Sequence, residues 1–269
     1  MKQKKRIHWT RILLAAVIIF FYIPIVYTVV FSFNSSRSLT TFSGFSLRWY
    51  EKMFSSSTTM NAIWMTFLVA ILATVISTVI GTITVIGLSK CGKPLRRTVN
   101  MVNDLPIMNP DIVTAIGLLM FFATMEISKG FLTLLLAHIA FCTPYVMLSI
   151  TPRLRTLDPN LADAALDLGA NPWQALRHAI IPQLSPGIFA GALIAFTMSF
   201  DDFVISYFVT GNGVQNISIL VYTMSKRVNP SINAISTLVI VIITAVLLLI
   251  NLIPLLRDRA MNRKREESV

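Results

Sequence analysis

Apolar residues run through this chain in stretches longer than the core elements of a soluble domain. A helix crossing the hydrocarbon layer needs about 20 of them, and six stretches qualify: 12–33, 61–88, 105–125, 130–151, 187–209 and 234–256. The pattern predicts an all-α, polytopic membrane protein with six transmembrane helices, one transmembrane domain over residues 1–269 and no large extramembrane module. The third stretch is the weakest, because it reaches membrane length only by including residues 105–111 with their two prolines. The first runs on into Asn34 and Ser35 without a small-x-small cleavage site, so it reads as an uncleaved anchor rather than a signal peptide.

Between the fourth and fifth stretches, residues 152–186 are punctuated as two short helices. Asp158 before Pro159 reads as an N-cap with proline at the first helical position, Gly169 as the end of that helix, and Asn171 before Pro172 as the next start. Pro182 and Pro186 are expected to stop the second helix. Leu161, Ala164, Ala165 and Leu168 share a face expected to be buried, while Trp173, Leu176, Arg177 and Ile180 form a mixed, exposed surface of docking type. Helical spacing alone leaves open whether this knob packs on its own bundle or receives a partner.

Composition agrees with the membrane reading: 55% of residues are hydrophobic and 13% charged, against about half and about a quarter in soluble domains. The net charge of +11 does not indicate nucleic acid, because Lys and Arg do not form a stripe interleaved with aromatics. They mark topology instead. The N-terminus, the 89–104 and 152–186 loops and the C-terminal tail carry 17 of the 23 basic residues, which places both termini and the 152–186 loop in the cytoplasm. Cys91 and Cys142 form no CxxC, and His8, His138 and His178 are far apart, so no metal site is indicated and none of these histidines reads as a ligand. No P-loop, nucleophile elbow or HExxH motif occurs, so the chain is not read as an enzyme.

Two carboxylates, Asp201 and Asp202, interrupt the fifth stretch. A charge at the centre of a membrane helix costs about 2.5–3.5 kcal/mol on insertion scales, so both must front protein or water. On a continuous helix Phe196, Phe200, Phe203 and Tyr207 form an apolar back, Ser199, Asp202 and Ser206 share one edge of a polar front, and Thr197 with Asp201 share the other. The rings then point away from the carboxylates and read as packing. The spans contain no Lys or Arg to pair with the acids, which leaves a transient cationic passenger as their partner: ammonium groups would meet the carboxylates and methylenes the apolar wall. Asp111, in the segment Asn109-Pro110-Asp111, is equally a helix-starting acid and a path residue. Trp49 reads by itself as an interface anchor, and Glu51 and Glu126 as solvated external acids.

A more specific resemblance rests on motifs. Asp163-Ala164-Ala165, three residues, Gly169, nine residues and Ala179-Ile180-Ile181-Pro182 is similar to the EAA loop of ABC importer permeases, with Asp163 for Glu, Ala179 for Ile and Ile181 for Leu. Tyr22-Ile23-Pro24-Ile25, Phe33-Asn34-Ser35-Ser36-Arg37, Trp49-Tyr50, Pro110-Asp111-Ile112-Val113, Phe141-Cys142 with Pro144, Asp167-Leu168-Gly169-Ala170, Asp201-Asp202 and Phe208-Val209-Thr210-Gly211 together resemble the spermidine/putrescine importer permeases of the PotC type.

The resemblance implies a MetI-like ABC permease fold in the bacterial inner membrane, with residues 160–182 as the coupling helix docked on an ATPase subunit through Asp163, Ala164, Ala165, Gly169, Trp173, Arg177 and Pro182. It implies a second, related permease subunit, two ATP-binding subunits that hold ATP and Mg, an extracytoplasmic polyamine-binding protein, and no cofactor on this chain itself. It also adds a substrate-path or docking role for Trp49 beside Asp111, Ser199, Asp201 and Asp202. Other readings remain: a permease for another small cationic or organic solute, a proton-coupled secondary transporter, which predicts inverted repeats that the sequence does not display, and an intramembrane aspartyl protease, whose two carboxylates must meet across a cleavage site.

Overall fold

The computed structural model describes residues 9–211, 213–226, 229–245, 248 and 252. The basic segment Lys2 to Arg6, most of the 246–256 part of the sixth stretch and the C-terminal tail lie outside the described residues. Apart from an isolated bridge between Asn34 and Phe45, the regular elements among the described residues are helices. They fall into two compact units, Met1–Met60 with Val221–Val269, and Asn61–Leu220.

In the first unit, helix α1 (Trp9–Ser32) carries an apolar side chain at almost every position and exposes nearly all of them, as a helix surrounded by lipid or membrane partners does. The loop that follows is built around Asn34. Its buried amide donates to Ser36 Oγ and to the carbonyls of Ser38 and Thr41, while its oxygen accepts from the Ser43 amide at 2.9 Å. Short helix α2 (Arg48–Ser55) closes this loop by burying Trp49 and Met53.

In the second unit, the helices are α3 (Ser57–Lys90), α4 (Lys93–Met108), α5 (Asp111–Thr124), α6 (Phe131–Arg155), α7 (Leu161–Asp167), α8 (Pro172–Ala175), α9 (Ile181–Asp201) and α10 (Val204–Val209). Helix α11 (Ile217–Ser225) begins in this unit and ends in the first, to which α12 (Ser231–Ala245) belongs. The core is the apolar face of α6, with Leu134, Ala137, Phe141, Cys142, Val146 and Ile150 recurring at helical spacing, packed along α9. Glycines let the backbones approach: a Cβ on Gly81 of α3 would lie 2.8 Å from Val146 Cγ1, and one on Gly191 of α9 would lie 3.2 Å from Val146 Cα. Val146 is the residue that a side chain at either glycine would meet first.

Among the described residues four helices are long and apolar enough to cross a membrane: α1, α3, α6 and a continuous Pro172–Asp201 helix comprising α8, a π-type turn over Leu176–Ile180 and α9. Three expectations need correction here. The stretch 105–125 is not one helix, because α4 and α5 meet at a bend of 113°; Asn109 is extended (φ −89°, ψ 148°), the conformation a following proline imposes. The stretch 187–209 breaks at Asp202, whose backbone is extended (φ −60°, ψ 126°). Pro182 and Pro186 do not stop the knob's second helix. The wide turn before Pro182, with the Ile181 amide bonded back to Leu176 O, absorbs the ring and the helix runs on.

In the knob itself Gly169 (φ 88°) ends α7 in the left-handed region, with the Ala170 amide reaching Ala165 O at 3.1 Å. Asn171 and Gln174 cap α8 reciprocally at 2.9 and 2.8 Å. The first helix starts later than Asp158, which instead holds the Asn160 amide at 2.9 Å in the preceding turn. The face expected to be buried is open: Ala164 is exposed, Leu168 is 90% exposed, and α7 has no buried residue. Leu161 and Ala165 on the same face are half-buried, so the face is covered only in part among the described residues.

Candidate functional site

The break between α9 and α10 creates a problem that membrane interiors do not forgive, since helix ends leave backbone groups unpaired and no bulk water is present to receive them. Side chains answer it. The Asp202 carboxylate accepts from the amides of Ile205 (3.2 Å) and Ser206 (2.7 Å), the first donors of α10. On the other side of the break, Asn216 Nδ2 donates to Asp202 O at 3.3 Å and Ser218 Oγ to Asp201 O at 3.4 Å.

A second ring of contacts holds these groups. Ser206 Oγ donates to Asp202 Oδ2 at 2.8 Å and lies 2.8 Å from Asn216 Nδ2 and 3.0 Å from His138 Nε2. His138 Nδ1 is 2.7 Å from Ser199 Oγ, and its Nε2 is 3.5 Å from Asp202 Oδ2. Asn216 Oδ1 accepts from the Ile219 amide at 2.9 Å, and Thr66 Oγ1 accepts from the Ile217 amide at 2.8 Å. His138 is 1% exposed and Ser199, Ser206 and Asn216 are buried with it. The cluster ties α3, α6, α9 and α10 together where the fifth span is interrupted.

The proposed path residues therefore separate. Asp202 and Ser199 face α6, and the partner of Asp202 is not a Lys or Arg but His138, whose ring nitrogen lies 3.5 Å from its carboxylate. Asp201 is exposed on the opposite face of α9, in line with Ala190, Ile194 and Thr197. Asp111 is also exposed, in the first turn of α5 beside the 113° bend. Trp49 is 1% exposed; its indole donates to Asn34 O at 2.7 Å and the guanidinium of Arg48 stacks 4.7 Å from its ring. This is the geometry of a loop anchor. Ser206, Asn216 and Thr66 join the cluster from sequence positions that carry no motif, and only the need to satisfy a buried carboxylate would have pointed to them.

The aromatic back also divides at the break. Phe200 is buried and meets Phe67 edge-on at 5.1 Å, with Phe196 at 5.5 Å. Phe203 and Tyr207 form a separate tilted pair at 5.4 Å, and Tyr207 is 46% exposed.

Residues 77–266 match the family model of the binding-protein-dependent transport system inner membrane component. The chain belongs to this family. The inner membrane component is 37% identical over 235 residues to the spermidine/putrescine transport system permease protein PotC of Haemophilus influenzae, covering 87% of this chain and 91% of the relative. It is 36% identical over 242 residues to the putrescine transport system permease protein PotI of Escherichia coli, covering 86% and 85%. Among solved structures it is similar to a bacterial ABC transporter involved in import of the acidic polysaccharide alginate, with a TM-score of 0.69 at 12% identity over 94% of this chain and 99% of that one. It is also similar to an amino acid ABC transporter, with a TM-score of 0.55 at 19% identity over 74% and 92%. The structural likenesses show the fold, and the family with its permease relatives shows a multi-pass inner membrane subunit of permease type rather than an enzyme.

Proposed function

We propose that this chain is a permease subunit of an ATP-driven importer that carries polyamines such as spermidine and putrescine into the cytoplasm by alternating access. The observation that carries the reading is its 37% identity, over nearly nine-tenths of its length, to a spermidine/putrescine permease. The site chemistry agrees with a cationic cargo. Asp201 stands on an exposed face of α9 with Ala190, Ile194 and Thr197, and a carboxylate at membrane depth is tolerated only where that face fronts protein or water. Such a face offers charge to an ammonium group and apolar wall to the methylenes between ammonium groups. Asp111 is a second acid available to the path.

The remaining assembly follows from the same reading. The open face of α7, with Leu168 and the exposed Trp173 beside it, is the surface by which the knob docks on an ATP-binding subunit, with Asp163, Ala164, Ala165, Gly169, Arg177 and Pro182 shaping it. Two such subunits hold ATP and Mg, a second related permease completes the two-fold arrangement, and an extracytoplasmic binding protein delivers the cargo. Both termini and the knob lie in the cytoplasm by the distribution of basic residues. The test is uptake of labelled spermidine by proteoliposomes containing this chain, its partner permease, the ATPase and the binding protein. Accumulation that requires ATP is expected; accumulation driven by a proton gradient without the ATPase would sink the proposal.

A further inference from the structure

We infer that His138 is a positioning residue of the transport path: through Ser206 and Asp202 it holds the fifth span broken after Asp201, and that break keeps Tyr207 out of the bundle. The inference rests on the reading of Asp201 as a path residue. Its geometric part does not depend on which cargo the path carries.

The hydrogen bonds fix the direction of the relay. Ser206 has one proton, and it goes to Asp202 Oδ2 at 2.8 Å. The two lone pairs of its oxygen then serve Asn216 Nδ2 at 2.8 Å and His138 Nε2 at 3.0 Å, so Nε2 carries a proton and donates. Nδ1 of His138 lies 2.7 Å from Ser199 Oγ, on the other side of the ring. His138 thus joins Ser199, before the break, to Ser206, after it, and each of these groups uses the capacity it has. Leucine at 138 would leave two buried serine hydroxyls each short of a partner and remove the support behind the Asp202 cap.

The alternative available to the chain is a helix that runs straight through. It would pair its own backbone and need no cap, which in a membrane is the default solution. On that helix Tyr207 would lie two turns beyond Phe200 on the same face. Phe200 is 4% exposed and packed against Phe67, so a continuous helix turns Tyr207 toward the packed side. In the broken span Tyr207 is instead 46% exposed and paired with Phe203, two residues from Asp201 in the chain. An exposed carboxylate followed by one exposed and one half-buried aromatic ring is a surface suited to alkylammonium groups.

Two readouts test this in the complete transporter. In a chain with Cys91→Ser and Cys142→Ala, Tyr207→Cys is labelled in membranes with a cationic methanethiosulfonate. Adding His138→Leu is expected to slow labelling at least fivefold, and His138→Gln, which keeps a donor and an acceptor, to stay within twofold of the parent. A rate unchanged or raised in His138→Leu would overturn the inference, because simple loosening of the bundle exposes residue 207 further. The second readout is spermidine uptake: KM is expected to rise at least threefold in His138→Leu and to stay within twofold in His138→Gln, and an unaltered KM in His138→Leu would cut the link to the path. Should His138→Leu fail to accumulate, Ser206→Ala removes the same relay and is judged by the same limits. Failure of the polyamine reading itself would look different, as absence of saturable spermidine uptake by the unaltered transporter, and the labelling result would stand apart from it.

Discussion

Alanine at Gly81 is a sharp test of the packing between α3, α6 and α9. Its Cβ would fall 2.8 Å from Val146 Cγ1 and 3.1 Å from Val146 Cβ, closer than side-chain carbons approach one another, and Val146 is a buried, branched residue that cannot swing aside like the end of a flexible chain. Overpacking of this kind costs about 1–3 kcal/mol, and for a chain of this size each kcal/mol moves Tm by about 2–4 °C. Gly81→Ala is therefore expected to lower the Tm of the purified transporter in nanodiscs of fixed lipid composition by roughly 5 °C. Val146→Ala alone removes two buried methyls and costs about 2 kcal/mol. Combined, the new methyl occupies space that the valine vacated, so the double variant should recover about 1–2 kcal/mol relative to the sum of the singles. Gly191→Ala is the control: its tightest contact is with a backbone Cα, which trimming Val146 does not remove, so Val146→Ala should rescue it less. Strictly additive losses for Gly81 and Val146 would refute this contact.

Asp202→Leu strands the amides of Ile205 and Ser206 and the Ser206 hydroxyl, and at about 1–3 kcal/mol per buried orphan it should destabilise the chain more than Asp201→Leu; equal Tm losses would contradict the division of roles. Trp173→Ala and Leu168→Ala, both at exposed positions, should leave thermal stability within about 0.5 kcal/mol yet reduce co-purification of the ATPase subunit, and retained co-purification in the double variant would remove the docking surface from the knob. Gly169→Val forces a β-branched residue to φ 88°, costing about 1–2 kcal/mol, and should loosen the knob, seen as faster proteolysis near residues 165–172; unchanged cleavage would argue against it. Asn34→Leu removes the hub of the first loop and should raise labelling of a cysteine placed at Trp49, which is fully shielded in the intact loop.

Hydropathy located the long apolar helices α1, α3 and α6 because the requirement for apolar residues is local. It could not reveal where helices break. A window over 105–125 averages across Asn109 and Pro110, and one over 187–209 averages across Asp202, whose extended backbone is stabilised by His138 from another span and by Asn216 from a later loop. The cap at Asn171 and the turn at Gly169 were legible for the opposite reason, since their partners lie within four residues. The wheel also separated Asp201 from Asp202 by about 100°, but which direction is buried depends on α6, and Trp49 owes its burial to a loop carbonyl fifteen residues away.

The unbroken run from Pro172 to Asp201 has a mechanical consequence. Thirty residues at about 1.5 Å each make a rod some 45 Å long, with the knob's tryptophan at one end and the exposed carboxylate at the other. The wide turn at Leu176–Ile180 and Pro186 are the places along it where a helix can bend, and a tilt of a few degrees carried past them reaches Asp201 as a displacement of ångströms, so the knob and the charged tip are mechanically linked.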